Sequence, residues 1–89
     1  MTNIEKSLVM EFVRKILSLA DEFDFSVTSW KRTAKRNTQV GGKLNSKHLS
    51  WFAVDIVLDN TEDRAKCYKA IKVLSLKFLD EGDHIHVQI

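Results

Sequence analysis

The chain has 89 residues, 44% of them hydrophobic and 29% charged, with three glycines, no proline and one cysteine. That composition supports one hydrophobic core, excludes a disordered segment, and holds no apolar run near membrane-spanning length, so membrane insertion is not expected. The net charge of +2 is mildly basic and does not by itself indicate a nucleic-acid partner.

In chain order, Ile4, Leu8, Phe12 and Ile16, with Val9, Val13 and Leu17, recur at helical spacing and predict a scaffold helix from Ile4 to Ala20 with one buried stripe. Glu11, Arg14 and Lys15 interrupt its apolar residues, so it lacks the core of a signal peptide, and synthesis in the cytoplasm without one is expected. Phe25, Val27 and Ser29 alternate with smaller or polar residues and predict a short strand. Trp30 to Gln39 has room for one or two helical turns. No acidic residue stands between Phe25 and Val54, whereas Lys31, Arg32, Lys35, Arg36, Lys43 and Lys47 all do, so this third of the chain suits anionic groups. Gly41 and Gly42 mark a turn, and a loop leads on to Ser46.

Phe52 to Leu58 reads as a strand with Phe52, Val54, Ile56 and Leu58 on one face, which turns Asp55 to the other. Asn60 or Thr61 caps a predicted helix whose first turn holds Glu62 and Asp63 and whose buried stripe is Ala65, Tyr68, Ile71, Leu74 and Phe78, ending before Gly82. Cys67 on that helix has no intramolecular disulfide partner and reads as a small apolar residue. The last residues alternate strictly, with Ile85, Val87 and Ile89 opposite His84, His86 and Gln88. The order implies an α+β fold, a small antiparallel sheet packed against helices, in a single domain over residues 1–89. The strands bearing Asp55 and His86 are expected to be antiparallel neighbours with their polar faces on the same side.

All three histidines, His48, His84 and His86, fall in the second half of the chain. Catalytic zinc sites take three protein ligands from His, Asp, Glu and Cys and leave a fourth position for water. His48, seven residues before Asp55, with His86 from the other strand, matches that inventory and points to a Zn2+ site. Asp83, three residues before His86, is the candidate carboxylate for moving a proton, with Glu81 and Asp80 as alternatives. His84 shares a face with His86, and a role in stabilising an oxyanion stands beside that of a solvated strand histidine.

The run Ser46-Lys-His48-Leu-Ser-Trp51-Phe-Ala53-Val-Asp55, followed by Asp83-His-Ile-His86, resembles the zinc D-alanyl-D-alanine carboxypeptidases and L-alanyl-D-glutamate endopeptidases, whose fold is shared with the Hedgehog signalling domain. Their pattern is Ser-x-His-x-x-Gly-x-Ala-x-Asp, then an acidic residue, two spacers and His. The match is with short, phage-type members. Thr28 to Thr33, Asn37 and Val40 to Ser46 are similar to the stretch that leads into the family's first histidine. The resemblance implies that His48, Asp55 and His86 bind zinc, that Asp83 is the catalytic carboxylate, and that Arg32 helps to hold a substrate carboxylate or polarised carbonyl. It further implies peptidoglycan stem peptides as substrate and action at the bacterial cell wall on release. Two positions depart from the pattern: Trp51 replaces the usual glycine, and Ala34 stands where a proline commonly follows the Arg-Thr pair. An indole there narrows the cleft, walls the substrate, or marks a domain that keeps its fold and zinc without turnover. A binder of nucleic acid or acidic protein using Lys31 to Lys47 is the weakest reading, because no recognised nucleic-acid motif accompanies those cations.

Overall fold

The structure, a computed structural model, describes residues 2–30 and 51–89. His48, Arg32, the helical turns expected after Trp30 and the Gly41-Gly42 turn lie outside the described residues.

Helix α1 runs from Asn3 to Glu22 and opens with a capping box, in which the Thr2 side chain accepts from the Glu5 backbone N–H and the Glu5 carboxylate accepts from the Thr2 N–H. These two bonds satisfy donors that a helix start otherwise leaves unpaired. Of the expected stripe Phe12 and Ile16 are buried and Val9 and Val13 partly so, while Ile4, Leu8 and Leu17 are exposed, and Leu19, outside the stripe, completes the buried face. The helix, about 30 Å long at 1.5 Å per residue, is longer than the strands it packs on. Its first turns extend past the region where the core is built.

The strands are β1 (Phe25–Ser29), β2 (Ala53–Leu58), β3 (Lys77–Asp80) and β4 (Ile85–Gln88), and the second helix, α2, spans Arg64–Val73. They form an antiparallel sheet in the order β1-β2-β4-β3, so the architecture is α+β as expected. Of the three strands read from alternation, β2 and β4 are its central pair and β1 is an edge. Val54, Ile56, Leu58, Ile85 and Val87 turn one face toward Phe12, Ile16 and Leu19 of α1 and Cys67 and Ile71 of α2, and these residues make the core. Each large side chain fully buried there contributes roughly 1.5–3 kcal/mol.

The second helix is shorter than its apolar spacing predicts. A turn of 3-10 helix, Thr61–Asp63, capped by the Asn60 side chain, precedes α2, and the chain leaves the helix at Leu74. Ser75 N–H then bonds to Lys72 O at 2.9 Å, Leu76 N–H bonds to Ile71 O at 3.1 Å, and Ser75 has a φ of 60°. This is a Schellman ending, with buried Leu76 as its apolar residue beyond the cap. Phe78, expected on the helix, therefore belongs to β3, where it pairs with Val87 and stacks on Tyr68 with ring centroids 4.4 Å apart. Among the described residues no helix is long and apolar enough to cross a membrane.

Candidate metal centre

The pairing of β2 with β4 sets Asp55 directly opposite His86. Both belong to the face turned away from the core, because side chains alternate along a strand. Asp55 is the only buried charged residue among those described, at 8% exposure, and His86 is partly buried. A buried carboxylate requires compensation, and here histidines supply it. His86 Nδ1 lies 3.1 Å from Asp55 Oδ1, and His84 Nε2 lies 3.9 Å from Asp55 Oδ2. On the other side of β2, the Thr28 hydroxyl donates to the Asp55 backbone carbonyl at 3.4 Å.

The Asp55 carboxylate, bonded to the ring, holds the His86 pKa above the ordinary histidine value, against the opposing effect of burial. The contact between Nδ1 and Oδ1 is a contact between two atoms that each carry an electron pair when His86 is neutral with its proton on Nε2. Such a pair is favourable only with a positive charge between the atoms, either a proton on Nδ1 or a metal ion bound by both. Two donors on one tetrahedral zinc stand about 3.3–3.6 Å apart, given bonds of roughly 2.0–2.2 Å. The observed spacing of 3.1 Å is that of a hydrogen bond and lies a few tenths of an ångström below this separation, so a metal would part the two atoms only slightly. Among the described residues no group of three His, Cys, Asp or Glu side chains is placed to hold a metal; the third ligand expected from sequence, His48, lies outside them.

Of the other expected residues, His84 stands beside this pair and reaches two of the candidate carboxylates. His84 Nδ1 is 2.7 Å from Asp83 Oδ1, and its Nε2 is 3.7 Å from Glu81 Oε2. Asp83 is the more open of the two carboxylates, its side chain 89% exposed against 41% for Glu81. Asp80, the remaining alternative, is engaged elsewhere: its carboxylate accepts from the Tyr68 hydroxyl, Arg64 and the Gly82 N–H. The Tyr68 bond, followed by that from Gly82, keeps Asp80 below the usual carboxylate range. Asp80 thus fastens the β3–β4 turn to α2, and Gly82 within that turn has a φ of 90°, which a side chain rarely adopts.

A family model described as Peptidase M15 matches residues 1–88. The chain belongs to the peptidase M15 family. No curated protein and no solved structure matches it at a significant level. Peptidase M15 proteins are metallopeptidases and generally depend on zinc. The match spans every described residue but Ile89 and also the stretch with Arg32 and His48.

Two features of this M15 chain were not assigned from sequence. Gln88 places its Oε1 2.9 Å from His86 Nε2; its position two residues after His86 on a strand was the available signal. Trp51, at the position where the resembling pattern has glycine, has a φ of 66°, in the left-handed region that glycine adopts most easily. The departure in side chain therefore keeps a glycine-like backbone at the entry to β2. Trp51 is held there by the Trp30 indole, whose Nε1–H donates to the Trp51 carbonyl at 3.2 Å, while the Trp30 ring meets Phe12 of α1 edge-on at 5.9 Å.

Proposed function

We propose that this chain works as one M15 domain over residues 1–89 and hydrolyses peptide bonds in peptidoglycan stem peptides, as a zinc carboxypeptidase or endopeptidase. The observation that carries the reading is the Asp55–His86 pair, two donors 3.1 Å apart on the sheet face opposite the core, in a chain of this family. Asp55, His86 and His48 would hold the zinc. Bound there, zinc would polarise a carbonyl and lower the pKa of a coordinated water.

The chain's own groups have separable tasks. Asp83 accepts a proton and returns it to the leaving amine, with Glu81 as the neighbouring alternative. His84, within reach of both carboxylates, orients the one that acts and offers an N–H toward a developing oxyanion. Arg32 holds a substrate carboxylate or carbonyl, for which its planar fork of donors is suited. Action at the cell wall, as for a phage-type lysis enzyme, follows from the substrate. Neither a nucleic-acid partner nor membrane insertion belongs to this reading.

The test is digestion of purified cell wall with and without chelator, beside elemental analysis of the wild type and Asp55→Ala. Cleavage that stops with chelator, zinc bound by the wild type and lost in Asp55→Ala, and loss of turnover in Asp83→Ala are the expected results. Chelator-insensitive or absent cleavage would sink the peptidase. A second reading, a zinc-containing binding module without turnover, draws support from Trp51 at the glycine position and from Asp83, whose side chain is 89% exposed and is directed to His84. It wins if well-folded, zinc-loaded protein binds wall fragments and cleaves none.

A further inference from the structure

Gln88 follows His86 by two residues on β4, so the two side chains leave the same face of the sheet. The Gln88 amide nitrogen donates to the Ile89 carbonyl at 3.5 Å, and this orients the amide with its oxygen toward the histidine ring, 2.9 Å from Nε2. An amide oxygen only accepts hydrogen bonds. An Nε2–H donating to that oxygen leaves Nδ1, 3.1 Å from Asp55 Oδ1, as the nitrogen at which a metal would take the place of a proton.

We propose that Gln88 is a positioning residue for the metal centre: it holds the Nε2–H of His86 and so selects Nδ1 as the donor atom. The inference rests on the zinc reading above but not on turnover. A histidine has two ring nitrogens and two flips, and a metal site gains affinity when a partner behind the ring removes the wrong alternatives before binding. On β4 the alternation of the strand supplies that partner from the same strand as the ligand. The ring is held from both sides, by Asp55 across the sheet and by Gln88 along it.

The experiment compares wild type, Gln88→Met, which keeps length and removes the strong acceptor, and Gln88→Glu, which keeps an acceptor. Zinc affinity is measured by competition with a chromophoric chelator, and the protonated ring nitrogen of His86 in the zinc-loaded protein by nitrogen-15 NMR. The expected result is an affinity about 10–100-fold weaker in Gln88→Met, close to wild type in Gln88→Glu, with the proton on Nε2 in the wild type. Unchanged affinity in Gln88→Met, or a wild-type ring protonated on Nδ1 with zinc bound, would overturn it. If Gln88→Met fails to fold, the wild-type ring assignment and the Gln88→Glu affinity decide. Absence of zinc binding by the wild type would remove the metal reading and this inference together. Zinc bound with normal affinity and no wall cleavage would remove only the peptidase.

Discussion

The two faces of the central strand pair differ in kind, although the same residues of backbone build both. On one face Val54, Ile56, Ile85 and Val87 meet Phe12, Ile16, Leu19, Cys67 and Ile71; on the other, Asp55 meets His86, with His84 beside Asp55 and Gln88 behind the His86 ring. The first face is held by area removed from water, which tolerates no loss of volume. The second is held by directed contacts between few atoms, which tolerate no change of chemistry. Because alternation assigns residues to faces, a slip of one residue in the β2–β4 register would bury the ligands and expose the core. Stability and metal binding should therefore separate cleanly on mutation.

The largest effect belongs to the core face. Phe12→Ala should destabilise the fold by about 3–5 kcal/mol, read by denaturant unfolding. A bound metal should restore part of that loss, because a ligand that binds only the folded state stabilises it by mass action. Recovery on adding zinc to Phe12→Ala, but not to the double variant with Asp55→Ala, would show that the faces communicate only through folding. A Phe12→Ala protein as stable as wild type would break the distinction.

A smaller effect, with a defined sign, belongs to the polar face. The His86 pKa is raised in the folded chain, first by its bond to Asp55. In metal-free protein the pair therefore contributes stability that is fully present below the unfolded histidine pKa, about 6.5, and is lost as pH rises through the higher folded value. Thermal unfolding of metal-free protein across that window should show the decline, and Asp55→Asn should flatten it. Zinc affinity should move the other way over the same window, because metal replaces the Nδ1 proton. A metal-free stability that rises there would contradict the pairing.

The polar face was the more legible of the two. Strict alternation over His84 to Ile89 and over Phe52 to Leu58 puts Asp55 and His86 each on the side of its strand opposite the apolar residues, and the β2–β4 register sets them opposite each other. Helical spacing was a poorer guide to the core. Ile4 and Leu8 obey the stripe of α1 yet are exposed, because periodicity gives the direction of a side chain and not the extent of the layer beneath it. Leu74 and Phe78 are four apart and continue the pattern of α2, so the pattern ran through the helix end into β3. The end is set by Ser75 and Leu76 in a Schellman ending that has no glycine to announce it. For Arg32 and His48 only sequence speaks.

Ser75 and Trp51 are the described residues other than glycine with positive φ, at 60° and 66°, and they frame the smallest predicted effects. A left-handed backbone costs a residue with a Cβ roughly 1 kcal/mol relative to glycine. Ser75 is exposed, so Ser75→Gly should stabilise the fold by about that amount. Trp51→Gly alone would mix that gain with loss of the indole, which packs against Trp30 with centroids 6.5 Å apart. Comparing Trp51→Gly with Trp51→Ala removes the confusion: both lose the ring, and they differ mainly in whether a Cβ occupies the left-handed position. The glycine variant should be the more stable by about 1 kcal/mol in chemical denaturation. If the alanine variant is equally stable, residue 51 relaxes out of the left-handed region without its ring, and the glycine-like backbone at the entry to β2 is imposed by the Trp30–Trp51 contact rather than by the turn.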